Sequence, residues 1–204
     1  MTDAVLSALG PPKSAVEPAP RPAVQIVPVR GLPFVVVIIG LLVAAIATNS
    51  RWALDFFHVA GGGLWTGVDL FVGLVLGPIL GRLSVAARVE FSIRFMPKMV
   101  LIMPTLVTVT LAAGWQLARH LGNLSAGYPQ HGWLVASYVV VGVMTVVALG
   151  LLEPANLAVL FELRKPRPDG QLIARLMRRF IYAAGVTGVM QVATLVIMTK
   201  VASS

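Results

Sequence analysis

Five apolar runs, each near the length of a bilayer crossing, limit most strongly what this chain can fold into. A helix needs about 20 predominantly apolar residues to span the hydrocarbon core of a membrane. The runs lie at roughly 32–49, 55–80, 97–118, 132–153 and 178–199, and the fourth can extend to Phe161. Many of their residues are β-branched, which in water would favour strands. In lipid an open strand leaves backbone N–H and C=O groups unpaired, so helices are expected. The expected fold is therefore all-α, a polytopic membrane helix bundle of about five transmembrane helices occupying 31–204, with the lipid bilayer as its solvent.

Charge supports that reading. Only 12% of the 204 residues are charged and 57% are hydrophobic, whereas soluble domains carry about 25% charged residues. So few charges cannot cover a soluble fold of this size. The net charge of +8 does not point to nucleic acid, because the basic residues sit between apolar runs rather than in one surface patch. Lys13, Arg21 and Arg30 precede the first run. Arg82, Arg88, Arg94 and Lys98 follow the second, and Arg164, Lys165, Arg167, Arg175, Arg178 and Arg179 follow the fourth. With five spans these three regions share one side, and the other side keeps Arg51, Arg119 and Lys200. The positive-inside rule then puts the N-terminus in the cytoplasm and the C-terminus outside, as in a bacterial inner-membrane protein. The basic side also suits anionic lipid. Leu172, Ile173 and Leu176, set against Arg175, Arg178 and Arg179, are expected to form a short interfacial helix.

Residues 1–30 hold six of the 14 prolines (Pro11, Pro12, Pro18, Pro20, Pro22 and Pro28). Repeated proline blocks both helix and sheet pairing, so a disordered cytoplasmic arm is expected. The first apolar run begins late and has no clear small-residue cleavage site, so a cleaved signal peptide is not expected. With no cysteine in the chain, disulfides, thiolate metal sites and iron–sulfur clusters are excluded. Walker A, G-x-S-x-G and H-E-x-x-H sequences are absent, and Gly61, Gly62 and Gly63 lie inside a membrane span, so they make no phosphate loop.

The second span carries most of the polar chemistry. At 100° per residue, Asp55, His58, Gly62, Trp65, Asp69 and Gly73 share one face. Gly63 and Gly67 form a small-xxx-small pair opposite, suited to close helix contact. His58 lies about one turn from the outer end, where it can ligate haem iron or a metal, or bond a backbone carbonyl or headgroup. His120 and His131 also fall on the outer side, so a three-histidine metal site is an open alternative. Asp69 lies roughly 16 Å further along the helix, too far to share a metal with His58. An intramembrane carboxylate points to proton relay or substrate pairing; otherwise it is tied to Thr105, Thr108, Gln116 or Gln191. Glu153 precedes Pro154, so a kink or helix end is expected there. A salt bridge to the neighbouring basic loop is the expected role of Glu153. Met96, Met99 and Met103 recur along the third span, as core packing or as copper or axial haem ligands.

The stretch FHVAGGGLWTGVDLF, residues 57–71, resembles the H-x-x-G/A…W-x-G helix of a loose superfamily of small bacterial multi-helix membrane proteins. That group includes CopD-type copper-resistance proteins, HemJ-type protoporphyrinogen oxidases, the membrane part of PuuD-type urate oxidases and uncharacterised relatives. RFMPKMVLIMPTLVTVTLAAGWQLA resembles their next helix. The resemblance implies b haem on His58, with Trp65 in the same motif. The HemJ-type enzymes carry a lysine in a later helix that the fourth span here lacks, so porphyrinogen oxidation does not carry over. The function expected is a redox-related, haem-binding membrane protein, with the haem near the outer face, His58 as one ligand and His120 or Met103 as the other. The alternatives are a transporter or ion pathway built on Asp69, and an accessory subunit or homo-oligomer.

Overall fold

The computed structural model describes residues 25–203, so the arm expected over 1–30 lies almost entirely outside the described residues. Five long helices, with no strand among the described residues, make an all-α bundle. All five are long and apolar enough to cross a membrane. A short 3-10 turn, Val29–Gly31, leads into α1 (Leu32–Ala47). The others are α2 (Arg51–Arg82), α3 (Val85–His120), α4 (His131–Leu163) and α5 (Gly170–Ala202). Each encloses its expected apolar run except α1, which stops two residues short. The outer surface exposes large apolar side chains such as Phe34, Val36, Leu64, Val146 and Val189, as lipid contact requires. The protein is a multi-pass membrane protein.

The helix ends follow local chemistry. The Ser84 hydroxyl accepts from the Ala87 N–H and starts α3. Asp169 caps α5 by accepting from the N–H groups of Gln171 and Leu172. Asn49, at φ 48°, turns the chain between α1 and α2, and Gln116 Nε2 donates to its side-chain oxygen at 2.8 Å. Residues 172–179 are not a separate interfacial helix. They are the first turns of α5, and Ile173 and Met177 are buried in the core. This apolar stripe finds a partner inside the bundle: Met96, Val159, Leu160, Leu163, Ile173 and Met177 form the core at the arginine-rich end. Glu162 ties the α4–α5 turn there, accepting from Lys165 Nζ at 2.5 Å and from the Asp169 N–H at 3.0 Å.

Two helices contain wide π turns, at Phe71–Leu76 in α2 and Ala148–Leu152 in α4. Such turns inside α-helices cluster at functional sites. The second absorbs Pro154, so of the kink or helix end expected at Glu153 the helix end does not occur and α4 runs on to Leu163. The close crossing of α2 and α5 uses Gly73, where an added Cβ would fall 2.4 Å from the Gly185 Cα. Gly63 and Gly67 meet nothing in the fold. Helix contact therefore lies on the polar face of α2, and that pair of glycines faces outward.

Candidate functional site

Two cavities lie one above the other along the polar face of α2. One, at the N-terminal end of α2 and called the outer cavity for the side that the charge pattern assigns to that end, has a volume of about 1270 Å³ and is lined by Arg51, Trp52, Asp55, His58, Gly62 and Trp65 of α2, with Thr110, Gly114 and Trp115 of α3, Tyr138 and Met144 of α4, and Gln191 and Met198 of α5 among others. Over its outer half α4 packs chiefly on α5. This leaves room between α3 and α4, which the Trp115 and Tyr138 rings bridge with centroids 5.9 Å apart.

His58 is fixed from α3. Its Nδ1 lies 2.9 Å from the Thr110 carbonyl oxygen. A carbonyl oxygen only accepts, so Nδ1 carries a proton, and the tautomer this selects is the one whose lone pair is on Nε2. The imidazole lies over Gly114, where an added Cβ would come within 2.4 Å of Nδ1. Residue 114 must therefore be glycine for the ring to sit there. An imidazole whose other nitrogen donates to a backbone carbonyl is the usual arrangement of a ligating histidine.

Asp69 is 2% exposed and marks the floor between the cavities. Thr187 Oγ1 donates to its Oδ2 at 3.0 Å and Gln191 Nε2 donates to the same oxygen at 2.7 Å. Neither engages Oδ1. The glycine crossing at Gly73 and Gly185 brings these α5 side chains into reach. Of the four partners expected for Asp69, only Gln191 serves. Thr105 bonds the Leu101 carbonyl and Gln116 bonds Asn49. Thr187 was not anticipated, because only the crossing point of α2 and α5 reveals it.

The inner cavity, about 190 Å³, lies below. Trp65, Val68, Asp69, Met99, Met103, Pro104, Thr108, Leu149, Glu153, Asn156 and Thr187 are among its lining residues. The salt bridge expected for Glu153 does not form among the described residues, because its place in α4 turns it into this cavity, away from the basic loop. The buried glutamate that does pair with lysine is Glu162. Asn156, 1% exposed, has an unpartnered Oδ1. A lone asparagine carries no signal in the sequence, and only the cavity identifies it.

The histidines do not converge. No group of three or more His, Asp or Glu among the described residues could hold a metal ion. His120 is exposed at the end of α3 and His131 starts α4; neither lines the outer cavity, so the three-histidine site is corrected. Met103 lines the inner cavity, away from His58. Met96 is fully buried in the core, as packing predicts. Trp65 lines both cavities. No protein family, characterised protein or solved structure matches the chain.

Proposed function

We propose that this is a bacterial inner-membrane protein, with its N-terminus in the cytoplasm, that holds b haem in the outer cavity through Nε2 of His58. The observation that carries this reading is the Nδ1–H donation to the Thr110 carbonyl, which fixes the tautomer and leaves Nε2 as a ligand. The surroundings fit the group. The cavity is large and walled by Trp52, Trp65, Trp115 and aliphatic side chains, with small residues at Gly62 and Gly114. Arg51 lines the same cavity and offers a cation for propionate. The motif around His58 resembles haem-linked proteins in the same position.

Bound haem supplies a one-electron couple. The chain's own part is to orient His58, enclose the ring system and limit its contact with water, which together set the potential. His120 and Met103 lie outside the cavity, so they no longer stand as the second ligand. Met198 lines it and is the second ligand proposed in their place.

The test is haem content after purification from cells supplied with haem. The wild-type chain retains stoichiometric haem. His58→Ala loses it, and added imidazole restores binding. A wild-type chain without haem, or a His58→Ala variant that keeps it, rejects the reading.

A further inference from the structure

The inner cavity has chemistry that haem ligation leaves unused. Among the described residues that line it, Asp69 and Glu153 are the only titratable groups and none is a cation. Glu153 has no hydrogen-bond or ion-pair partner among the described residues. Asn156 adds a buried amide oxygen without a partner. A buried polar group without a partner is costly, so an atom that meets these groups is strongly favoured. Both carboxylates adjoin the π turns, Asp69 just before Phe71–Leu76 and Glu153 just after Ala148–Leu152.

The cavity also opens sideways. Its lining includes Pro104 and Thr108 of α3 and Leu149 of α4, all exposed at the surface near the middle of their helices. Below it the apolar core of Met96, Val159, Leu160 and Met177 closes the way to the arginine-rich end. The route in is therefore from the lipid, between α3 and α4. A ligand arriving that way must dissolve in the bilayer. Two carboxyl groups repel an anionic headgroup, which excludes fatty acids and acidic lipids. Carboxyl groups can accept hydrogen bonds when ionised and donate them when protonated. They therefore suit a ring that carries O–H groups in one state and carbonyl oxygens in the other.

We propose that the inner cavity binds the ring of a lipid-soluble quinol or quinone, with Asp69, Glu153 and Asn156 holding its oxygens and its tail leaving between α3 and α4. Trp65, which lines both cavities, then separates this ring from the outer cavity. The proposal names the redox partner of the haem reading and to that extent rests on it, although the binding site stands on its own residues.

The experiment uses the full chain in lipid nanodiscs and a decyl-substituted benzoquinone as probe, with binding read by quenching of tryptophan fluorescence. Saturable binding is expected, weakened about tenfold or more in Glu153→Gln and in Asn156→Leu, the loss of one buried hydrogen bond each. Glu153 has no hydrogen-bond partner among the described residues, so its variant is expected to fold, as read by circular dichroism. Leu149→Phe, which narrows the opening without adding a tryptophan to the readout, should also weaken binding. Quenching that is unsaturable, or equal in all variants, overturns the proposal. So does tighter, Glu153-dependent binding of tetraphenylphosphonium, which would make the site one for lipophilic cations. The same titration on His58→Ala separates the two readings. Quinone binding that persists there without haem leaves the inner site standing alone; haem retained by a wild-type chain that binds no quinone removes only this proposal.

Discussion

The Nδ1–H of His58 donates to the backbone oxygen of Thr110, one helix away, at 2.9 Å. This bond joins α2 to α3 across the cavity wall and decides which ring nitrogen is left for a ligand. Gly114, one turn further along α3, leaves the space the ring occupies.

Gly114→Ala should displace the ring, because its Cβ would lie 2.4 Å from Nδ1. The expected result is loss of haem in a folded protein, read by absorbance and circular dichroism. Gly142→Ala is the control, since a Cβ there meets nothing.

Gly73→Ala should strain the α2–α5 crossing, because the Gly185 backbone cannot yield as a flexible side chain could. Overpacking of this kind costs about 1–3 kcal/mol. A lower melting temperature in detergent is expected, while Gly63→Ala, on the outward face, should leave it unchanged.

Gln191→Leu removes one of the two donors to Asp69 Oδ2. Interhelical hydrogen bonds in membranes contribute about 0.6–2 kcal/mol, so destabilisation of that order is expected in a reversible unfolding titration. Combining it with Asp69→Asn should cost less than the sum of the single changes, since the pair act on one bond.

Orientation can be read directly, because the chain has no cysteine of its own. An impermeant maleimide should label Gly127→Cys in intact cells and Arg167→Cys only after permeabilisation. The reverse pattern would invert the topology.

The five spans were legible because the bilayer imposes one length and one backbone solution on every crossing. The polar face of α2 was legible too: His58, Trp65 and Asp69 do face the cavities, as a 100° rotation predicts. The partners of that face were not. Periodicity says which way a side chain points, and crossing points decide what it meets. Gly63 and Gly67 fit a packing motif in sequence, yet the backbone contact falls at Gly73, where α5 also offers a glycine. Glu153 looked like a partner for the basic loop because it precedes a proline near a presumed helix end. The π turn keeps the helix going, so Glu153 stays inside the bundle and Glu162 reaches the lysine. His120 and His131 were grouped with His58 by side of the membrane alone, which does not fix lateral position.

The reduced-minus-oxidised absorption spectrum of the purified wild-type chain, set beside that of His58→Ala, tests the central claim most directly. The account predicts the sharp bands of b haem in the wild type and none in the variant. A featureless wild-type spectrum after expression with haem supplied, or unchanged bands in His58→Ala, would contradict it.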